Sequence, residues 1–379
     1  MKPNHWILTK CFLSMNALLW GWGVEAQGTG KPRNIIMIIG DGMGHTQVSA
    51  AYLHQTQGSG DGSWNMGRFT HFGYSVTTSS DALITDSGAG ATALSTGRKT
   101  YNGAVGVGPD SLPLQTIVEK AAATGRRTGM LVSCEVTHAT PASYAAHRID
   151  RDLYEDIALD LSLAPLDWLV GGGRNHFVTR QDQRNLLEEM HKDRGFKVMD
   201  RSEDLLKAPQ SSAKQPVVAL VWDGPAPRIS EGRDPGLMAA LTARACRDLD
   251  RPAPIATKDS GFFLMIEGSQ IDWGGHANDG DYVLTETLDL DRVVGAALDF
   301  ARQDGNTLVV LTADHETGGM AINSGSRDAQ SMGLAFTTKK HTAALVPVMA
   351  YGPGAETMSA MMDNTEIYRR LCGLWSLEP

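Results

Sequence analysis

Ser87 lies in a sequence context that favours nucleophilic chemistry. It follows Thr85 and Asp86 and precedes a run of small residues that ends at Ala93. A Thr-Asp-Ser start followed by alanine and glycine predicts a helix that begins at the serine. A helix start directs free N–H groups and a partial positive charge at whatever lies in front of it. Ser87 could therefore attack an anionic substrate, although the same pattern also fits an ordinary N-cap before a tightly packed helix.

A second group of residues combines carboxylates and imidazoles at spacings that suit metal ions. Asp272 and His276 form an i, i+4 pair, which one helical turn would place on a single face. Asp314 and His315 are adjacent, and His341 could supply one more imidazole. Aspartate together with histidine is the ligand set expected for zinc in a catalytic site.

Asp41, Thr140 and Glu267 offer oxygen ligands only. Asp41 follows the apolar run 34–39, Thr140 lies just past another predicted strand, and Glu267 follows the apolar run 262–266. A carboxylate with a hydroxyl suits magnesium. Several carboxylates at one edge of a sheet would repel one another strongly, so cations are required there.

The elements that position these residues follow from the hydrophobic pattern. Continuous apolar runs such as 34–39 and 307–311 are typical of strands buried on both faces. They alternate with helical patterns, of which 281–303 is the longest. This alternation predicts an α/β fold with a single large domain, a mainly parallel central sheet and helices on both faces. Ligands of such sheets bind beyond the carboxyl ends of the strands. Residues 204–235 and 320–340 are loop-rich, and we expect insertions or sheet edges there.

Composition and charge narrow the class of substrate. The chain has 379 residues, 42% of them hydrophobic and 20% charged, which is ample for a large core. Its net charge of -9 does not favour nucleic-acid binding, and we expect no specific nucleic-acid partner. An anionic substrate would have to be held by local positive charge such as metal ions.

The N-terminus has the features of a secretory signal. Lys2 and Lys10 are positive, residues 11–23 are mainly apolar, and residues 24–26 fit a small-x-small cleavage site. We therefore expect a signal peptide at 1–26 and an exported protein, periplasmic or secreted, with a retained anchor as the alternative. The apolar part is shorter than the ~20 residues of a membrane span. After cleavage three cysteines remain, which excludes a disulfide scaffold but leaves room for one bridge.

These motifs, taken in order, resemble the alkaline phosphatase family over nearly all of residues 33–352. The segments that carry the resemblance are Gly40-Asp41-Gly-Met-Gly44, Thr85-Asp-Ser87-Gly-Ala-Gly-Ala-Thr-Ala93, His138-Ala-Thr140-Pro-Ala, Glu267-Gly-Ser-Gln-Ile-Asp272 with His276, Thr312-Ala-Asp314-His315-Glu-Thr-Gly, and His341-Thr. The resemblance implies that residues 27–379 form an alkaline phosphatase catalytic domain. It further implies hydrolysis of small-molecule phosphate monoesters through a phosphoserine on Ser87, in an enzyme that is usually a homodimer.

The resemblance also implies two zinc ions, one magnesium ion and their ligands. The sets are Asp272, His276 and His341 for one zinc, Asp41, Asp314, His315 and Ser87 for the second zinc, and Asp41, Thr140 and Glu267 for magnesium. Two zinc ions about 4 Å apart can bind both the attacking and the leaving oxygen of an in-line displacement. Arg151 matches the arginine that clamps phosphate in the family, and Arg148 is the second candidate.

Two positions depart from the best-known bacterial pattern. This chain has His138 and Trp273 where that pattern has Asp and Lys, which leaves open the identity of the third metal and how tightly phosphate is bound.

Two other functions compete with hydrolysis of phosphate monoesters. One rival is a phosphodiesterase or sulfatase of the same superfamily, but Ser87 lacks the Cys/Ser-x-Pro-x-Arg setting of a sulfatase. The other is a secreted protein that binds metal or phosphate without turnover, which a missing nucleophile or ligand would support, and none is missing.

Overall fold

A ten-stranded central sheet organises the protein. The computed structural model describes residues 30–58, 60–209, 215–250 and 261–379. The strands of the described residues are β1 Asn34–Gly40, β2 His71–Val76, β3 Arg127–Glu135, β4 Trp168–Gly172, β5 Lys197–Met199, β6 Val217–Leu220, β7 Phe262–Gly268, β8 Thr307–Thr312, β9 Glu316–Thr317, β10 Met320–Gly325, β11 Met332–Phe336, β12 His341–Thr342, β13 Val346–Tyr351 and β14 Met361–Asp363. The signal peptide expected at 1–26 lies outside the described residues.

The strands of the large sheet lie in the order β14-β2-β13-β8-β1-β7-β3-β4-β6-β5. β13 runs antiparallel to its neighbours β2 and β8, and the other pairings are parallel. The predicted α/β fold with a mainly parallel sheet is therefore confirmed. Two small antiparallel pairs, β10 with β11 and β9 with β12, lie outside the large sheet.

Helices cover both faces of the sheet. Their bounds are α1 His45–Gln57, α2 Ser87–Thr96, α3 Ile117–Ala123, α4 Ala139–Ala145, α5 Tyr154–Leu163, α6 Asn175–Val178, α7 Leu186–Arg194, α8 Ser202–Lys207, α9 Leu237–Leu249, α10 Gln270–Ala277, α11 Gly280–Asp304 and α12 Asn364–Trp375. Three short 3-10 helices lie at Met66–Arg68, Ile229–Glu231 and Ala355–Met358. None of the helices in the described ranges is both long and apolar enough to cross a membrane.

The hydrophobic core has two halves, one on each face of the sheet. Side chains of β1 alternate between them, with Ile35, Met37 and Ile39 on the face covered by α2 to α5, and Ile36 and Ile38 on the face covered by α9 and α11. All of these side chains are buried. This double burial explains why β1 is apolar at every position rather than at every second one.

The register of the central strands brings the acidic residues to one edge. Ile39 of β1 is paired with Glu267 of β7 on one side and with Thr312 of β8 on the other. Asp41 directly follows β1, and Asp314 comes two residues after β8. Parallel strands end on the same side of a sheet, so these three carboxylates meet at its carboxyl edge.

Some boundaries and connections differ from the sequence prediction. Helix α3 begins at Ile117, because Thr116 and Glu119 form a capping box that fixes its start. Beyond β13 the chain continues into β14 and α12. The range 320–340 contains the β10–β11 hairpin rather than loop alone. Cys134, Cys246 and Cys372 are buried and free.

Candidate active site

Ser87 is the first residue of α2, as its sequence context predicts. The Asp86 side chain caps the helix by accepting the backbone N–H of Ala89 at 2.9 Å. Ser87 is almost fully buried, and its Oγ lies 3.2 Å from Nε2 of His315. A Cβ atom at Gly90 would lie 2.9 Å from the backbone oxygen of Asp314. Because glycine has no side chain, Gly90 lets α2 approach the carboxyl edge of the sheet closely.

Asp41, Asp314 and His315 form the cluster next to Ser87. All three side chains are completely buried. His315 Nε2 lies 3.5 Å from an Asp41 oxygen and 3.4 Å from an Asp314 oxygen. Both carboxyl oxygens of Asp41 and Oδ2 of Asp314 have no hydrogen-bond partner within the described residues. Buried oxygens without donors are costly, so this cluster fits a bound cation.

Asp272, His276 and His341 form a second cluster. Asp272 and His276 lie one turn apart on α10, with 3.3 Å between Oδ2 and Nε2. His341 belongs to β12, which pairs with β9, the strand that directly follows His315. The Nε2 atom of His341 lies 3.5 Å from Asp272 Oδ1. The ligand atoms of Asp272, His315 and His341 also lie within 4.8 Å of one another, so the first two clusters are contiguous.

The histidine tautomers of the second cluster favour a cation. Nδ1 of His276 lies 2.7 Å from the carbonyl oxygen of Lys339, and Nδ1 of His341 lies 2.9 Å from that of Thr85. A carbonyl oxygen only accepts, so each Nδ1 carries a proton and each Nε2 points into the cluster. These two Nε2 atoms are 3.1 Å apart. Two imidazole nitrogens at this separation fit as ligands of one cation.

Glu267 is at the centre of the third cluster. It is completely buried, and the side chains of Thr140 and Asp41 lie close enough to affect its pKa. Cys134 Sγ donates to Glu267 Oε2 at 3.3 Å, and the ligand atoms of Cys134, His138 and Glu267 lie within 4.8 Å of one another. Thr140 Oγ1 and Glu267 Oε1 have no hydrogen-bond partner within the described part of the chain. This cluster therefore also fits a cation, and it contains two more candidate ligand atoms than the oxygen set predicted from the sequence.

Burial controls the electrostatics of these clusters. Burial and neighbouring carboxylates raise the pKa of Asp314 to about 8, and burial raises the pKa of Glu267 to about 7. Burial and then the charge of Asp314 raise the pKa of Asp41. Burial and then the charge of His341 lower the pKa of His315 well below its usual value. The protein alone thus places too little positive charge near these buried carboxylates, and divalent cations would supply it.

Arg151 and Arg148 have different surroundings although they are three residues apart. Arg151 Nη1 donates to Asp86 Oδ2 at 2.9 Å. Burial raises the pKa of Asp41, and the charge of Arg151 acts against this rise. The guanidinium of Arg148 instead uses Nε and Nη2 to hold both carboxyl oxygens of Asp160, at 2.8 and 2.5 Å. The structure thus brings Arg151 and not Arg148 to the site.

Several side chains that hold these groups in place were not singled out from the sequence. Asp86 binds Ala89, Gly103 and Arg151 together, so it links the start of α2 to the arginine. Thr317 Oγ1 donates its only hydrogen to Asp272, so its oxygen accepts from Nδ1 of His315 at 3.2 Å and leaves Nε2 facing Ser87. The position of Asp86 at a predicted N-cap was a usable signal, whereas the contact of Thr317 depends on the β9–β12 pairing.

Comparisons with known proteins identify the family of this chain. The family model for alkaline phosphatase matches residues 32–335. Alkaline phosphatase 3 of Bacillus subtilis is 33% identical, with 89% of this chain and 88% of the relative covered, and alkaline phosphatase of Escherichia coli is 30% identical, with 89% and 85% covered. Alkaline phosphatase from the Antarctic bacterium TAB5 has a solved structure that is 38% identical and covers 92% of this chain and 99% of its own, with a TM-score of 0.82. A variant of that enzyme with a histidine replaced by glutamate has magnesium bound in a site called M3.

Family, fold and site chemistry point to the same activity. The matched region contains the nucleophile candidate, the arginine and most of the metal-type residues, and the relatives are covered over most of their length. The chain therefore belongs to the alkaline phosphatase family and is a phosphatase that hydrolyses phosphate monoesters.

Proposed function

We propose that Ser87 is the nucleophile of this phosphatase and forms a phosphoserine intermediate. The single observation that carries this proposal is the position of Ser87 at the start of α2, with Oγ next to His315 and the first two acidic clusters. In the first displacement, Ser87 Oγ forms a bond to phosphorus as the bond between phosphorus and the ester oxygen breaks. The proton that Ser87 loses is balanced by the one that the leaving alcohol gains. In the second, a water oxygen replaces Ser87 Oγ and inorganic phosphate is released.

Arg151 is the proposed phosphate clamp. A guanidinium presents two parallel N–H donors that match two oxygens of a phosphoryl group. Asp86 fixes the orientation of Arg151 through Nη1, and Nη2 lies 3.5 Å from His138 Nε2. Because Asp86 also caps α2, the clamp and the proposed nucleophile share one anchor.

We further propose two zinc ions and one magnesium ion as cofactors. Asp272, His276 and His341 would hold one zinc, and Asp41, Asp314, His315 and Ser87 the other. Magnesium would be held by Asp41, Thr140 and Glu267. When bound, the metals would neutralise the developing charge of the phosphoryl group and lower the pKa of the attacking hydroxyl. The unpartnered buried oxygens and the facing Nε2 atoms support this assignment.

The metal of the third cluster depends on His138. Burial and then the charge of Arg151 lower the pKa of His138 to about 4, so its ring is neutral and able to bind a metal at the pH of catalysis. A nitrogen ligand suits zinc better than magnesium, so the magnesium proposed for this cluster would bind less tightly beside His138 than beside a carboxylate. We predict that His138→Glu increases the magnesium content per chain relative to the parent protein. Metal analysis after dialysis against equal zinc and magnesium would measure this, and an unchanged ratio would place His138 outside the ligand set.

We also propose an exported homodimer, because the sequence begins with the features of a secretory signal and the family usually forms homodimers. Sequencing the mature N-terminus after expression in a bacterial host would locate cleavage near residue 26. Analytical ultracentrifugation would give the number of chains in the assembly.

The experiment that tests the nucleophile is acid quenching during turnover. Mass spectrometry of the quenched enzyme should find phosphate on Ser87, and Ser87→Ala should lower kcat by at least about 10²-fold. Some activity should remain, because bound metals can activate water directly. Phosphate on another residue, or full activity of the variant, would refute the proposal. Rates on a phosphate diester, measured in parallel, separate this function from a phosphodiesterase.

A further inference from the structure

A cavity lies at the edge of the sheet opposite the candidate active site. It has a volume of about 360 Å³ and is bordered by the residues at the amino ends of four strands. Arg127 begins β3, Asp167 precedes β4, Phe196 precedes β5 and Pro216 precedes β6. Since these strands are parallel, the cavity lies a full strand length away from the acidic clusters at the carboxyl edge.

The cavity is rich in positive charge although the protein as a whole is acidic. Its border contains three arginines, namely Arg126, Arg127 and Arg194, and a single carboxylate, Asp167. Oδ2 of Asp167 is already used to accept the backbone N–H of Thr128 at 3.0 Å. Burial raises the pKa of Asp167, and the charges of Arg127 and Arg194 act against this rise. One carboxylate therefore faces both Arg127 and Arg194 at this cavity.

Arg127 gives the strongest evidence that this cavity binds a ligand. Its side chain is only 4% exposed. Nη1 lies 3.4 Å from Asp167 Oδ1, which is a long contact. Nε and Nη2 are buried and have no hydrogen-bond partner among the residues that the structure describes. A buried guanidinium with two unmatched N–H groups is costly, and such groups usually mark an absent ion, ligand or water.

Arg194, at the end of α7, is held in place beside the same cavity. Its two terminal nitrogens donate to the carbonyl oxygens of Ser162 and Ala164, and its guanidinium lies 5.1 Å from the ring centre of Phe196. Burial lowers its pKa, and Asp167 is the acid that acts against this effect. Arg194 thus presents a fixed positive charge that carbonyl oxygens orient but do not neutralise.

We propose that this cavity is a binding site for a small organic anion with one oxyanion head, either a carboxylate or a phosphate group. The head would be held by Arg194 and by Arg127, whose buried Nε and Nη2 would turn toward the cavity on binding. A guanidinium fork matches two oxygens of either group. Pro165, Pro216 and Ala122 form the wall and would contact an apolar body. A cavity of this size holds a molecule as large as benzoate or phenylphosphonate. The site is separate from the catalytic one, so its ligand need not be a substrate.

The test is binding of two probes, benzoate and phenylphosphonate, to the full chain by calorimetry and by crystal soaking. Benzoate should bind at one site per chain and phenylphosphonate at two, the second being the active site. Arg127→Gln and Arg194→Gln should each weaken binding at the distal site about tenfold, because each removes charge-assisted hydrogen bonds. Neither change should alter kcat for a phosphate monoester. An unchanged kcat also shows that the variants fold.

Arg180→Gln is the matched control. Arg180 is also buried and also donates to two carbonyl oxygens, but it pairs with Asp182 and lies outside the cavity border. Binding of both probes should be unchanged in this variant. Binding of one probe alone would support the site and identify its head group as carboxylate or phosphate. Water alone in the cavity of the soaked crystals, or distal binding that is unchanged in both Arg127→Gln and Arg194→Gln, would overturn the proposal.

Discussion

Trp273 occupies a position beside the proposed phosphate clamp. It follows Asp272 on α10 and packs edge-on against His138, with ring centres 6.0 Å apart and an interplanar angle of 78°. His138 in turn lies next to Nη2 of Arg151. Trp273 is also packed against the hydrophobic core. It therefore fills the wall of the site with an apolar ring and contributes no charge.

Trp273→Lys should tighten inhibition by phosphate. A lysine ammonium near the bound phosphate would favour the product dianion, and such an interaction at a partly wet site is worth on the order of 1–3 kcal/mol. We expect the inhibition constant for phosphate to fall roughly tenfold while kcat does not rise, because tighter product binding slows release. Trp273→Phe keeps an aromatic ring without charge and should leave the constant nearly unchanged. If Trp273→Lys binds phosphate no more tightly, the side chain points away from the substrate.

Helix α2 is the element that couples Ser87, the proposed nucleophile, to the rest of the site. Its start is fixed by Asp86, its close approach to Asp314 depends on Gly90, and it ends where Gly97 adopts a φ of 69°. The helix is buried along its whole length. Only small residues in its first turns allow this packing, which is why the Gly-Ala-Gly-Ala segment has no bulky side chain.

Asp86→Ala should impair catalysis more than stability. Loss of an N-cap costs about 1 kcal/mol of unfolding free energy. It would also free Arg151 and Gly103, so kcat/KM for a phosphate monoester should fall by at least about tenfold. Asp363→Ala is the matched control, because Asp363 caps α12 and pairs with Lys99 at 3.0 Å away from the site. Urea unfolding and kinetics of both variants would measure the two effects. Equal activity losses in the two variants would contradict a specific role for Asp86.

At the scale of the whole molecule, we expect the buried acidic clusters to make stability depend on metal and on pH. Burial raises the pKa of Glu267 from 4.5 to about 7 and that of Asp314 from 3.8 to about 8. Without metal, the folded chain therefore binds more protons than the unfolded chain up to about pH 8, and its stability falls as pH rises. His315 has the opposite effect, but only below its usual pKa of 6.5.

The chelated protein should accordingly lose stability between pH 6.5 and 8. The protein with zinc and magnesium should not show this loss, because cations stabilise the ionised carboxylates. The difference in Tm between the two forms should widen as pH rises through this window. Differential scanning calorimetry with and without a chelator would measure it. A Tm of the chelated form that stays constant or rises from pH 6.5 to 8 would argue against cation sites at these clusters.

The sequence by itself determined the main elements and the fold class. The unbroken apolar pattern of β1 requires burial on both faces, and the Thr-Asp-Ser start fixes the beginning of α2, because both depend on local physical chemistry. The i, i+4 spacing of Asp272 and His276 similarly needs only one helical turn. Alternation of such segments was sufficient for the fold class.

The tertiary structure decided which distant groups meet. The direction of β13 and the pairing of β12 with β9 depend on contacts between segments far apart in the chain, so no local pattern encodes them. That pairing brings His341 to Asp272, and the fold likewise turns Arg151 toward Asp86 and Arg148 toward Asp160. The same holds for Arg127 and Arg194, which are far apart in sequence and border one cavity because parallel strands begin on the same side of a sheet.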